Sequence, residues 1–219
     1  MLQCGILSHR HNTMENVLLE ASMRGNIATL ETLIQNDQLI LDRVLATSFN
    51  ENPLHIAVLR GHLDFVRILL IHKRELANAL DAFRCSPLHL ASGGGYFEIV
   101  RELIKINPEV CQFHDQDGKI PLHFAAFQEH VDIMNVLIQA KPGLLREIFD
   151  NGETLLHFCV KHNRVEALKV LVKWLGDIGD RDFDNTKDDR SNTILHLAVI
   201  KKQFQVSVFE NYTKKVLQK

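Results

Sequence analysis

The sequence predicts an all-α solenoid of about six helix-turn-helix units joined by hairpin-like turns. Three observations predict it: a histidine frame at a fixed period, apolar residues at helical spacing after each copy, and turn residues at constant offsets between copies. The frame reads Pro53-Leu54-His55-Ile56-Ala57, Pro87-Leu88-His89-Leu90-Ala91, Pro121-Leu122-His123-Phe124-Ala125, Leu155-Leu156-His157-Phe158-Cys159 and Ile194-Leu195-His196-Leu197-Ala198. Its histidines are 34, 34, 34 and 39 residues apart. A weaker copy, Val17-Leu18-Leu19-Glu20-Ala21, sets Leu19 36 residues before His55. Self-similarity at such a period marks stacked units, each too small to bury its own apolar stripe.

Each unit opens with a helix. Asn52, Ser86, Thr154 and Thr193 precede the frame and are good N-caps, with Ile120 the exception. Pro53, Pro87 and Pro121 fall at the first helical position, where a missing N–H costs nothing. Gly25, Gly61 and Gly95 fit the left-handed residue that closes this helix. Glu129, Asn163 and Lys202 hold that place in later units, and only asparagine is a natural substitute. Ser92-Gly93-Gly94-Gly95 reads as a flexible, widened helix end, or as a point of close access to the backbone.

The second helices carry apolar stripes: Ile27, Leu30, Leu33 and Ile34; Val66, Leu69 and Leu70; Ile99, Leu103 and Ile104; Ile133, Val136 and Leu137; Ala167, Leu168, Leu171 and Val172. Five extra residues lie between His157 and His196, within Trp174–Asp182. Their charged, glycine-bearing composition suits a lengthened loop. The array is expected over 14–206, in units of about 14–46, 47–80, 81–114, 115–148, 149–187 and 188–206. An extension, 1–13, precedes it and a divergent polar tail, 207–219, follows.

Composition narrows the function. Of 219 residues, 46% are hydrophobic and 24% charged, as in a globular protein. The 25 basic and 27 acidic residues give a net charge of −2, so no global positive field holds nucleic acid. The longest apolar run, Ile68-Leu69-Leu70-Ile71, is far short of the ~20 residues of a spanning helix. Four cysteines without a CxxC pair fit a reducing, cytoplasmic setting rather than a disulfide scaffold or a metal site. The phosphate loop, the GxSxG elbow and HExxH are missing. Cys159 fills a slot held by alanine in other units and is read as a buried, inert thiol. His55, His89, His123, His157 and His196 recur one per unit, on the order of 10 Å apart along a helical stack, too far to share one ion. They are read as structural, each bridging backbone groups of adjacent units. No catalytic residue, cofactor or metal is expected.

A unit of about 33 residues that opens on Thr-Pro-Leu-His-x-Ala resembles the ankyrin repeat. Asp81, Asp115 and Asp188, each eight residues before a motif histidine, match that family's hairpin aspartate, and Gly118 and Gly152 match its turn glycine. Gly152-Glu153-Thr154-Leu155-Leu156-His157-Phe158-Cys159-Val160-Lys161-His162-Asn163 and Asn192-Thr193-Ile194-Leu195-His196-Leu197-Ala198 are similar to the plant ankyrin proteins that end in a membrane-spanning PGG domain. That resemblance implies a part in defence signalling. The PGG segment has no counterpart here, so the basic, polar end from Tyr212 to Lys219 reads as a truncation, an alternative end, or an amphipathic cap.

The resemblance also implies a concave surface of hairpin tips and inner helix ends that binds a protein partner. Phe49, Phe83, Lys119 and Glu153 stand at the tips, beside Cys85, Asp117 and Asn151. Leu59, Arg60, Phe127, Gln128, Lys161 and His162 stand on the inner helix face. Aromatic residues and arginine dominate interface energetics. The expected function is a non-catalytic scaffold or adaptor in the cytosol. The alternative is the soluble part or isoform of a membrane-anchored signalling protein.

Overall fold

A computed structural model describes residues 3–46, 52–178 and 186–200. The chain folds into helix pairs stacked side by side. α1 (Gln3–Arg24) and α2 (Ile27–Asn36) form the first pair, followed by a short α3 (Ile40–Ala46). Next come α4 (Pro53–Leu59) with α5 (Leu63–His72), α6 (Pro87–Gly94) with α7 (Phe97–Ile106), and α8 (Pro121–Phe127) with α9 (Val131–Ala140). α10 (Leu155–Lys161) pairs with α11 (Val165–Ile178), and α12 (Ile194–Ile200) opens the sixth unit. The first helices α1, α4, α6, α8, α10 and α12 touch in that order and make one layer; α2, α5, α7, α9 and α11 make the other. Among the described residues the turns carry one antiparallel bridge, Ile148 to Thr154.

The repeat period decides what is buried. Leu18, Leu54, Leu88, Leu122 and Leu156 are all buried beside the histidine slot, and Leu69, Leu103, Leu137 and Leu171 repeat in the second layer. They join one continuous core along the array. Each buried leucine contributes about 1.5–3 kcal/mol relative to exposure, which a lone helix pair could not collect. Ala57, Ala91, Ala125, Cys159 and Ala198 keep one position small, letting the helices of the first layer approach.

Three of the motif histidines reach a backbone carbonyl of the next unit. The Asn52 side chain accepts from the backbone N–H groups of Leu54 and His55 at 2.9 and 3.0 Å, capping α4. His55 Nε2 then donates to the Cys85 carbonyl in the next unit at 3.0 Å. His89 Nδ1 accepts from the Ser86 N–H at 3.0 Å, and its Nε2 donates to the Lys119 carbonyl at 3.0 Å. His157 repeats this with the Thr154 N–H at 3.3 Å and the Asn192 carbonyl at 3.2 Å. An Nδ1 that accepts from a backbone N–H leaves the proton on Nε2, which fixes the tautomer that can donate across the interface. His123 keeps the Ile120 N–H at 3.2 Å, but its ring lies edge-on to Phe149 and Phe158, with centroids 4.2 and 4.9 Å away. His196 holds the Thr193 N–H at 3.3 Å and is exposed.

Burial lowers the pKa of His89 to about 4 and that of His123 to about 3. A base held neutral below its unfolded value makes the unfolded state the better proton acceptor. The stability tied to these two groups is therefore complete above about pH 6.5 and lost as the pH falls toward the folded values, by about 1.4 kcal/mol per pH unit for each histidine. The urea midpoint is expected to drop between about pH 7 and about pH 5, a range above ordinary carboxylate titration. Equal midpoints would contradict the buried, neutral assignment.

The hairpins follow from their aspartates. Asp81 Oδ1 accepts from the N–H groups of Phe83 and Cys85 at 2.9 and 2.8 Å, and Asp115 holds Asp117 and Lys119 likewise. Asp188 holds Arg190 and Asn192 at 3.0 and 2.7 Å. Side-chain acceptance two residues on is the property that suits aspartate to turns. Neighbouring hairpins are tied by Gln116 N–H to the Phe83 carbonyl and Asp189 N–H to the Asn151 carbonyl, both 2.9 Å.

Two sequence expectations change. The stretch from Trp174 is not a loop at its start: α11 continues to Ile178, with Leu175 buried and Trp174 Nε1 donating to Asn135 Oδ1 at 2.8 Å. Packing against α9 outweighs the glycine and charges that suggested a turn. Nor is Ser92–Gly95 a widened end: α6 runs through Gly94 and closes on a left-handed Gly95, with the Tyr96 ring over Gly94. α1 passes through Met14 without a break. Phe49, Lys202 and the tail 207–219 lie outside the described residues.

Candidate partner-binding face

The first-layer helices begin at the hairpins and end at the opposite rim, so this inner face is a strip bounded by tips on one side and helix C-termini on the other. At the tips Phe83 is 62% exposed, so it does not fold back between hairpins. Lys119 Nζ pairs with Asp117 at 3.0 Å, and Lys161 Nζ pairs with Glu153 at 2.6 Å, which neutralises two expected contacts within the surface itself. At the rim Leu59 is 46% and Phe127 39% exposed, and Arg60, Gln128, Lys161 and His162 are exposed as well. Phe83 and Lys119 lie on neighbouring hairpins. Phe127 and His162 are in edge-on contact at 5.4 Å.

Three rings meet between α8 and α10. Phe158 and His162 are 4.5 Å apart, Phe127 and Phe158 6.4 Å, and the Arg164 guanidinium lies 4.2 Å from the Phe127 centroid. Arg164 and Phe158 were not among the site residues read from the sequence. The signal that locates Arg164 is its register. It stands seven residues after a motif histidine, as do His62, Tyr96 and His130. Those three reach back to the preceding unit: His62 to the Met23 carbonyl at 3.1 Å, Tyr96 to Leu59 at 3.2 Å, and His130 to Gly93 at 3.2 Å. Arg164 stacks on Phe127 instead, and its buried Nε has no hydrogen-bond partner.

Electrostatics separate reactive from structural groups. His162 has its pKa lowered, first by desolvation and then by the nearby cations Lys161, Arg164 and Lys119. Burial pushes the Cys85 and Cys111 thiols up to about 12 and Cys159 higher still. Thiols held protonated in this way are poor nucleophiles. Among the described residues no His, Cys, Asp and Glu group is placed to hold a metal ion, and no helix is long and apolar enough to cross a membrane.

Comparisons with known families agree with this architecture. Residues 18–70 match a family model described as ankyrin repeats in many copies, 71–145 one described as ankyrin repeats in three copies, and 151–183 one described as the ankyrin repeat. No curated protein matches the chain. With the histidine bridges, the aspartate hairpins and family matches from 18 to 183 interrupted only at 146–150, the chain belongs to the ankyrin-repeat family, whose repeats serve as protein–protein interaction scaffolds.

Proposed function

We propose that the chain is a non-catalytic adaptor that holds a protein partner on its inner face, through Phe49, Leu59, Arg60, Phe83, Lys119, Phe127, Gln128, Glu153, Lys161 and His162. The observation that carries this reading is the exposure of Phe83, Leu59 and Phe127 on successive units in positions fixed by the repeat register. A preformed surface orders few side chains on binding, so little affinity is lost to entropy. The array occupies 14–206 in the six units named above, between the 1–13 extension and the 207–219 tail.

The similarity of 152–163 and 192–198 to plant PGG-type ankyrin proteins supports a defence-signalling setting, and equally the alternative of a soluble part of a membrane-anchored protein. The free, buried thiols Cys85, Cys111 and Cys159 suit a reducing cytoplasm. Fractionation of the native protein distinguishes the two versions.

Leu59→Ala with Phe83→Ala tests the binding face without touching the core, because both side chains are exposed. Capture of the native partner is expected to weaken at least about ten-fold, while the unfolding free energy from urea denaturation stays within about 0.5 kcal/mol of the wild type. Undiminished capture by the double variant would remove the inner face from the account.

A further inference from the structure

We infer that Arg164, held on the Phe127 ring beside His162, is a carboxylate-binding subsite for an acidic segment of the protein partner. This rests on the inner-face reading and gives the partner its chemistry. The guanidinium carbon stands 4.2 Å from the Phe127 centroid, which holds the group against the ring, and its terminal nitrogens can offer a carboxylate the paired N–H donors of an arginine fork. Among the described residues Arg164 makes no ion pair, and its buried Nε is without a hydrogen-bond partner. Neither nearby acid is ion-paired with it: Glu129 Oε1 accepts from the Glu166 N–H at 2.8 Å, and Glu153 is paired with Lys161. Other arginines of the second layer are engaged, Arg67 by Asp64 and Glu102, Arg101 by Glu98. The exposed, apolar part of Phe127 beside Arg164 favours a segment that alternates acidic and apolar side chains.

The probe is a short acetylated peptide alternating glutamate and leucine, with its glutamine–leucine counterpart, presented to the full chain. The acidic peptide is expected to bind the wild type and the Arg101→Gln variant alike. It is expected to bind Arg164→Gln at least ten-fold more weakly, and the glutamine peptide to bind none of them. On the wild type, a bound carboxylate is also expected to move the His162 ring-proton titration to higher pH, a readout that needs no variant. Binding indifferent to Arg164→Gln, an unmoved His162 titration, or an oligonucleotide that competes through Arg164 with equal affinity would each overturn the assignment. If the peptide fails while native-partner capture still depends on Leu59 and Phe83, the acidic subsite falls and the inner-face reading stands.

Discussion

Replacing His89 with alanine is expected to destabilise the array by about 3 kcal/mol. The ring is fully buried, so its loss leaves the Ser86 N–H without an acceptor inside the protein. An orphaned buried donor costs about 1–3 kcal/mol, the lost Nε2 bond to Lys119 about 1 kcal/mol, and the vacated volume adds to both. The Lys119 carbonyl is not itself orphaned, because it still accepts from the Asp115 N–H at 2.9 Å. What disappears is the tie between the α6–α7 pair and the Asp115–Lys119 hairpin of the next unit. His196→Ala is the matched comparison: the same Nδ1 bond to a backbone N–H, but on an exposed ring. Water can satisfy the Thr193 N–H there, and the cost is expected to stay below about 1 kcal/mol. Urea denaturation of both variants measures the contrast. Similar losses would mean that the histidines act through local capping alone and not through the interface.

Gly61→Ala is expected to cost about 2–3 kcal/mol. Its φ of +71° lies where an L-residue with a side chain loses about 1–2 kcal/mol. The new Cβ would also stand 2.6 Å from a Tyr96 ring atom. Relief requires the ring to move, which gives up the Tyr96 hydroxyl bond to the Leu59 carbonyl, worth about 1 kcal/mol. Gly143→Ala provides the control, since a Cβ there meets nothing within 4 Å, and a change within about 0.5 kcal/mol is expected. A neutral Gly61→Ala would show that the helix end and Tyr96 adjust freely, against the rigid presentation on which partner binding depends.

The same features explain which parts of the fold could be read from the residues. Histidine, aspartate and glycine at fixed offsets carry backbone bonds and a left-handed conformation that few other residues supply, so their period translated directly into helix starts, hairpins and helix ends. Glu129 shows the rule bending: it adopts φ +57° without being glycine or asparagine, and its carboxylate compensates by accepting from the Glu166 N–H. The extension of α11 through Ile178 was not legible, because glycine and charge in a short window favour a loop until packing against α9 is known. The 3-10 turns Arg74–Asn78, Pro108–Gln112 and Pro142–Arg146, which bury Leu76, Val110 and Leu144, recur at the 34-residue period but are too short to show a helical stripe of their own.

The binding face was legible only in part. Exposure at Leu59, Phe83 and Phe127 follows from register, whereas the pairing of Lys119 with Asp117 and of Lys161 with Glu153 depends on side-chain reach. Arg164 is not legible in the sequence as a site residue because its equivalents are His62, Tyr96 and His130, and three rings do not suggest a guanidinium. Its role depends on Phe127, a residue of the preceding unit, which the sequence leaves 37 positions away.

Amide hydrogen exchange of the chain with and without its captured partner is the most direct test of the account. Stacked helix pairs that leave the inner face free for recognition should show partner-dependent protection at residues 59–61, 83–85, 127–129 and 161–164, with the second-layer helices α7 and α9 unchanged. Protection confined to α7 and α9, with those inner-face segments unaffected, would contradict it.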